Sequence, residues 1–381
     1  MKYQRDGTYR MIATTFKGLE KVLARELKET GASRVRPLVR AVEFHGNDEM
    51  LYRANLQLAT ALRILKPVAH LRNIKSVAAL YNKVYDIPWE KLFHSRKSIY
   101  FNISGMLDTI PDTRFVSQKS KDAIVDRFRD LYGNRPDVDK ENPDVVINLH
   151  LFKNQMTVSL DASGSPLFKR GYREGTGEAP LNEVLAAGLL RLARWRGDSH
   201  LIDPMTGSGT IPVEAALMAA HIPPNLHREK FSFMHWHGFK PWLLENIKKE
   251  LRGQIRRPTE LLRIIGYDRD PAMIEIARRN AENAGVSEYI EWDVKDFFET
   301  RKIPGAVTLI FNPPYDKRLP LKNREQFYQK TAGHLQDAFR WSEAWIVSPD
   351  KWHKYFRRKP IATYHLYNGK IPVIFSGFSL E

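Results

Sequence analysis

His200-Leu201-Ile202-Asp203-Pro204-Met205-Thr206-Gly207-Ser208-Gly209-Thr210 is the stretch that decides the fold. A short apolar run closes on an acid, a loop of small residues follows, and TIPVEAALMAA (210–220) opens directly as an apolar helix. Small residues at a strand-to-helix turn let a ligand approach the backbone, outside the carboxyl end of a parallel strand. A tight structural turn would also account for the glycines taken alone. The loop lacks the third glycine of the dinucleotide fingerprint at its expected offset, so a different adenosine cofactor fits better.

Outward from this loop, helical and β-like runs alternate. LNEVLAAGLLRLARW (181–195) precedes it; LLRIIGYD (261–268), PAMIEIARRNAENAG (271–285), VTLIFNPPY (307–315), REQFYQKTAGHLQDAF (324–339) and AWIVS (344–348) follow. Such alternation predicts a parallel sheet with helices on both faces. TYHLYN (363–368) and PVIFSGF (372–378), separated by Gly369-Lys370, add an antiparallel edge hairpin. Asp268 ends the second strand, where an acid accepts both hydroxyl hydrogens of a ribose. Asp270 precedes Pro271 and suits a helix cap. Asp293 and Asp296 follow the third strand, and either is placed to meet an adenine amine.

Asn312-Pro313-Pro314-Tyr315 follows the strand VTLIF at the same sheet edge. The prolines stiffen the backbone, so the Asn312 amide oxygen and the Pro313 carbonyl become rigid acceptors for both hydrogens of a planar exocyclic amine. Tyr315 offers a stacking face. Holding both hydrogens turns the nitrogen lone pair toward a methyl donor, and catalysis is then positioning and electrostatic preorganisation.

The first part of the chain has a different pattern. YRMIATT (9–15) reads as a strand, FKGLEKVLARELKETG (16–31) as an amphipathic helix, RVRPLVRAVEFHG (34–46) as return strands, and MLYRANLQLATALRILKPV (50–68) as a helix ended by Pro67. IYFNISG (99–105), the helix QKSKDAIVDRFRDLYG (118–133) and the hairpin VVINLHLF/MTVSLDAS form a second small α+β unit. The insertion 221–258 carries Phe231, Phe233, Trp236, Phe239 and Trp242, which are expected to pack over the first helix of the catalytic domain. Its histidines, His221, His227, His235 and His237, have irregular spacing and no completing ligands, so no metal is expected.

Composition narrows the chemistry. The absence of cysteine removes disulfides, zinc–cysteine sites and thiol nucleophiles. Lys and Arg number 60 against 44 Asp and Glu, a net +16 that favours a polyanionic partner, and residues 1–170 hold 29 of these cations against 19 acids. No apolar run reaches the length of a membrane span and the N-terminus has no signal-peptide core, so a soluble, cytoplasmic protein without a membrane partner is expected.

With DPMTGSGT, GYDRDP, the Asp293–Asp296 region and NPPY in order, residues 171–381 resemble the class I S-adenosylmethionine-dependent methyltransferases that modify nucleobase amines. FVSQKSKDAIVDRFR (115–129), PDVVINLHLF (143–152), VSLDASG (158–164) and KRGYR (169–173) resemble a THUMP domain, the module joined to RNA-modifying enzymes. The whole chain is most similar to the RlmL/YpsC-like group of THUMP methyltransferases. The resemblance implies a ferredoxin-like domain over 1–65, a THUMP domain over 66–165 and a Rossmann-like α/β methyltransferase domain over 171–381. It also implies S-adenosyl-L-methionine as cofactor and the N2 amine of a guanosine as acceptor, in structured RNA such as 23S ribosomal RNA or a pre-ribosomal particle. Carried onto this chain, the cofactor residues are Asp203, Pro204, Gly207, Gly209, Asp268, Asp296 and Asn312, and the catalytic tetrad is Asn312, Pro313, Pro314 and Tyr315. Lys119, Lys121, Arg127, Arg129, Arg170 and Arg173 are the RNA-contact candidates. Thr206 stands where the family usually has cysteine, and Asp316-Lys317-Arg318 replaces its usual Gly-Glu-Arg. An adenine-N6 methyltransferase, a transfer-RNA methyltransferase and a non-catalytic ribosome-assembly factor are the alternatives.

Overall fold

The computed structural model describes residues 7–174, 181–314, 321–349, 351–356, 358–369 and 371–381. The N-terminal half comprises β1 (Tyr9–Thr14), α1 (Glu20–Glu29), β2 (Ser33–Leu38), β3 (Ala41–Gly46), α2 (Asp48–Gln57), β4 (Arg63–Leu71), α3 (Val77–Tyr85), β5 (Ile99–Leu107), α4 (Thr113–Tyr132), β6 (Val145–Lys153) and β7 (Gln155–Asp161). One sheet of order β2-β3-β1-β4-β7-β6-β5 runs through it without a break. Strand β4 is the join, pairing with β1 through Arg63–Leu65 and with β7 through Leu65–Leu71.

This join corrects the sequence reading. The expected helix over 50–68 stops at Gln57, and Arg63–Leu71 is extended. A central strand position outweighs the local helical pattern here. Pro67 is accommodated because the register shifts between Pro67 and Ala69, where a missing N–H costs no ladder bond.

The second half comprises α5 (Glu183–Leu192), β8 (His200–Asp203), α6 (Thr210–Ala219), α7 (Pro241–Gly253), β9 (Ile264–Asp268), α8 (Pro271–Asn283), β10 (Ile290–Val294), β11 (Val307–Phe311), α9 (Leu321–Ala338), β12 (Glu343–Ser348), α10 (His353–Phe356), β13 (Ala362–Asn368) and β14 (Ile371–Ser379). Its sheet has the order β10-β9-β8-β11-β12-β14-β13, parallel except for the β13–β14 hairpin. Helices α5, α6 and α8 supply the apolar core on one face, and α9 with Trp352 and Phe356 fills the other. Strand order reverses between β8 and β11, so the crevice at their carboxyl ends is where a doubly wound sheet receives a ligand.

The insertion packs elsewhere than expected. Phe231, Phe233, Trp236, Leu244 and Ile247 belong to the core of the N-terminal half, with Phe233 stacked on Tyr52 at 4.5 Å between ring centres. Lys240 Nζ meets Asp48 at 2.9 Å, the Lys240 amide donates to the Tyr52 hydroxyl at 3.1 Å, and Arg53 holds Glu250. Chain from the second half thus completes the N-terminal core. The histidines are scattered: His235 lies beside Lys97 and Asp144, His237 against His94, and His221 beside Arg256. Among the described residues, no helix is long and apolar enough to cross a membrane.

Phe233→Ala removes a fully buried ring and is expected to lower the unfolding free energy by about 3 kcal/mol or more in denaturant titration. Trp242→Ala, at a side chain 63% exposed, is expected to change it by less than about 0.5 kcal/mol.

Candidate active site

The loop after β8 needs its two glycines for different reasons. Gly209 begins α6 at φ +80°, and a Cβ there would lie 2.7 Å from the Trp292 ring and 2.8 Å from Ala277 Cβ. It lets α6 pack closely on α8 and β10. Gly207, at φ +54°, has free space around the Cβ position, so its backbone is open to the crevice. Its amide donates to the Asp268 carboxylate at 2.8 Å, and the Thr206 amide donates to the Tyr267 carbonyl at 2.8 Å. The loop is therefore hung from the end of the neighbouring strand β9.

Asp203 is 2% exposed and accepts the Met205 amide at 3.2 Å. Burial, with a smaller push from the neighbouring Asp268 charge, moves its carboxyl up to about 8. Asp268 also accepts the Asp270 amide at 3.0 Å, while Asp270 caps α8 through the Ala272 amide at 2.9 Å. Asp296 caps a short turn by accepting the Phe298 amide at 2.9 Å and lines the crevice. Asp293 is 60% exposed, faces Lys295 at 3.8 Å and does not line it.

Asn312 follows β11 directly, on the strand next to β8. Its Oδ1 is buried without a hydrogen-bond partner among the described residues. A buried amide oxygen in that state costs about 1–3 kcal/mol unless a ligand supplies a donor. Pro313 is buried and Pro314 lines the crevice. Tyr315 and the Asp316-Lys317-Arg318 segment lie outside the described residues.

These groups share one crevice of about 560 Å³, lined by Asp203, Pro204, Gly207, Asp268, Asp296 and Asn312. Its apolar walls, Leu181, Met273, Phe297, Phe298 and Phe327, were not read from the sequence. Phe297-Phe298 directly after Asp296 was the available signal, because an apolar pair at a strand end either closes the core or faces a ligand. Both happen: Phe297 is buried against Phe311, and Phe298 carries the Lys330 ammonium 4.0 Å over its ring. Asn280 of α8 was also missed; it donates to the Ser208 carbonyl at 2.9 Å and accepts the Glu174 amide at 3.1 Å, bracing the loop from behind.

Three of the basic candidates are structural. Arg170 is buried, donating to the carbonyls of Leu167 and Ala59 and facing Glu214 at 3.5 Å. Arg173 is held by Glu183 at 2.9 Å and Thr210 Oγ1 at 3.1 Å. Arg127 grips Glu90 with two bonds of 2.7 and 2.9 Å. Each of these guanidinium groups is thus engaged within the protein. Lys119 and Lys121 share Asp122, and Arg129, 53% exposed, pairs with Asp126 on α4.

Because Asp203 binds its proton more tightly folded than unfolded, its contribution to stability is complete below about pH 4 and is lost as pH rises toward 8. Asp203→Asn is expected to gain on the parent by up to about 1.4 kcal/mol per pH unit across that window. Denaturant unfolding at pH 5 and pH 8 checks the sign.

The family model described as RMKL-like, methyltransferase domain matches residues 170–375; those of the RlmL ferredoxin-like domain and the THUMP domain match 10–65 and 75–161. The chain is 38% identical over 378 residues to "Ribosomal RNA large subunit methyltransferase K/L" of Shewanella frigidimarina, covering 98% of this chain and 53% of that protein. It spans about half the length of the K/L relatives it matches. It is 35% identical over 344 residues to "Putative RNA methyltransferase slr0064" of Synechocystis, covering 89% of this chain and 88% of that protein. The crystal structure of SMU.472, complexed with SAH, superposes with a TM-score of 0.87 at 28% identity, covering 100% of this chain and 99% of that one. The chain belongs to the RMKL-like methyltransferase family, with an RlmL-type ferredoxin-like domain and a THUMP domain ahead of its methyltransferase domain.

Proposed function

We propose that this chain is an RNA methyltransferase that moves a methyl group from S-adenosylmethionine to the exocyclic N2 amine of a guanosine, with large-subunit (23S) ribosomal RNA or its precursor particle as substrate. One observation carries the reading: the Oδ1 of Asn312 is buried with no hydrogen-bond partner among the described residues, and Asn312 lines the same crevice as Gly207 and Asp268. That crevice suits the cofactor. Gly207 leaves room for a ligand to reach the backbone, Asp268 presents carboxylate oxygens to ribose hydroxyls, and Asp296 with Phe297 and Phe298 forms a polar and apolar end for an adenine. Bound there, S-adenosylmethionine supplies an electrophilic methyl group.

The remaining work falls to this chain. Asn312 Oδ1 and the Pro313 carbonyl accept the two amine hydrogens, holding the nitrogen with its lone pair turned into the crevice. The two acceptors are preorganised by the prolines and by β11, so little reorganisation is needed on the way to the transition state. The target base is in a helix or a loop of RNA, and it has to leave its stack to enter the crevice. Guanine as the base rests on the resemblance to the RlmL group; an adenine amine offers the same two hydrogens. The fold of the THUMP unit and the charge of residues 1–170 support RNA as the partner, and the cytoplasm is where ribosomes are built. The ribosomal assignment follows the K/L relatives.

Asn312→Ala is expected to cut turnover about 100-fold or more while S-adenosylmethionine affinity changes less than about threefold. Single-turnover kinetics alongside calorimetric cofactor binding checks this, and an equal loss in both removes Asn312 from the acceptor role. Replacing Lys119, Lys121 and Arg129 together by alanine is expected to lower the slope of log affinity against log salt by up to about 3 in RNA binding.

A further inference from the structure

The N-terminal sheet has one face covered by α3 and α4 and another covered only in part. Leu149 and Leu151 of β6 and Met156 and Val158 of β7 are buried in the core that includes α4 residues Ala123 and Phe128. The alternate residues point the other way. The insertion closes the near end of that second face, where Ser232 Oγ accepts the Val146 amide at 3.1 Å. Beyond Asn148 the face is open. Two cross-strand rows lie there: Ser104, His150, Thr157 and His70, and then Met106, Phe152 and Gln155. The first row is ordered by hydrogen bonds, Ser104 Oγ to His150 Nδ1 at 3.0 Å and Thr157 Oγ1 to His70 Nδ1 at 3.1 Å.

The second row exposes apolar surface: Phe152 is 61% and Met106 54% exposed, on a face whose neighbouring side chains are polar. The two rows carry no carboxylate. Their rim is cationic. Lys153 Nζ stands 5.6 Å from the centre of the Phe152 ring, and Arg72 and Lys75 are kept at the same end by the Ile74 amide, which donates to the Asn154 carbonyl at 2.9 Å. None of these three cations forms an ion pair among the described residues, and the acid at this end is Asp108, whose amide donates to the Lys153 carbonyl at 3.1 Å.

We infer that this open half-face is a stacking platform for unpaired nucleotides of RNA, with the Phe152 ring and Met106 under the bases, His150 and Ser104 at their edges, and Lys153, Arg72 and Lys75 on the phosphates. The charge settles the class of occupant: an aromatic surface whose rows carry no carboxylate and whose rim sets three cations against the single acid Asp108 complements a polyanion with flat apolar bases. The inference deepens the reading of the chain as an RNA enzyme and rests on it for the identity of the polymer. The platform lies on the THUMP unit, apart from the crevice residues, so it acts on affinity for single-stranded RNA and not on methyl transfer itself.

The test uses the full chain and an eight-nucleotide single-stranded RNA carrying 2-aminopurine, whose fluorescence is quenched on stacking. The intact protein is expected to bind and quench it. Phe152→Ala is expected to abolish the quenching and weaken binding at least about fivefold, and Phe152→Tyr to keep both. Thermal stability and S-adenosylmethionine affinity, measured on each variant, show that the fold is intact. If Phe152→Ala binds and quenches as the parent does, or if the parent fails to bind the oligonucleotide, the platform is refuted, even where ribosomal RNA is methylated. If the parent binds and quenches but transfers no methyl group to any RNA, the platform stands and the catalytic reading falls.

Discussion

The Gly207 amide donating to the Asp268 carboxylate is the bond on which the crevice depends. It joins the loop after one parallel strand to the end of the next, and it does so with a charge-assisted acceptor that is also turned toward the ligand space. The geometry on either side follows from it. Gly209 has to be glycine because the loop, once tied to β9, brings α6 onto Trp292 and Ala277. Asp203 is buried and its carboxyl is driven upward, while the Asn312 Oδ1 on the neighbouring strand's end has no hydrogen-bond partner among the described residues. A buried acid and a buried, unsatisfied amide oxygen are thus concentrated where the strand order reverses, the arrangement expected of a functional site.

The N-terminal half is fastened to this crevice rather than tethered to it. Glu26 of α1, nearly buried, accepts the Ala59 and Thr60 amides and meets Arg191 of α5 at 2.9 Å. Arg170 ties the Ala59 carbonyl to Glu214 on α6, the helix that begins at the glycine loop. Leu19 fills the space that a side chain at Gly188 would need. The insertion then places Phe231 and Phe233 in the N-terminal core. These contacts join the half that carries the open sheet face directly to the half that carries the crevice. They also mean that cutting away the first half would strand buried aromatic rings in water.

Much of the crevice was legible in the sequence because its parts are local. A strand, an acid and a glycine loop are read in eleven consecutive residues; Asp268 ends a strand, and Asn312 and Asp296 stand directly after one or just beyond it. What could not be read depends on contacts between distant segments. Arg63–Leu71 continues a helical pattern and becomes a strand only because β1 and β7 flank it. The aromatics of the insertion announce burial without saying against which surface, and they settle on Tyr52 far back in the chain. Arg170 and Arg173 look like a basic patch until Glu214 and Glu183, from other helices, take up their charge. Lysine and arginine numbers favour a polyanionic partner, whereas the pairing of each cation is a property of the fold.

The central claim is that the acceptor of Asn312 holds a guanine amine in front of a methyl donor. Its most direct test is to incubate the protein with labelled S-adenosylmethionine and separated large ribosomal, small ribosomal and transfer RNAs from cells lacking the gene, then identify the labelled nucleoside by mass spectrometry. The account predicts N2-methylguanosine in large ribosomal RNA. Label in N6-methyladenosine, or no label in RNA or precursor particles from a protein that binds the cofactor, would contradict it.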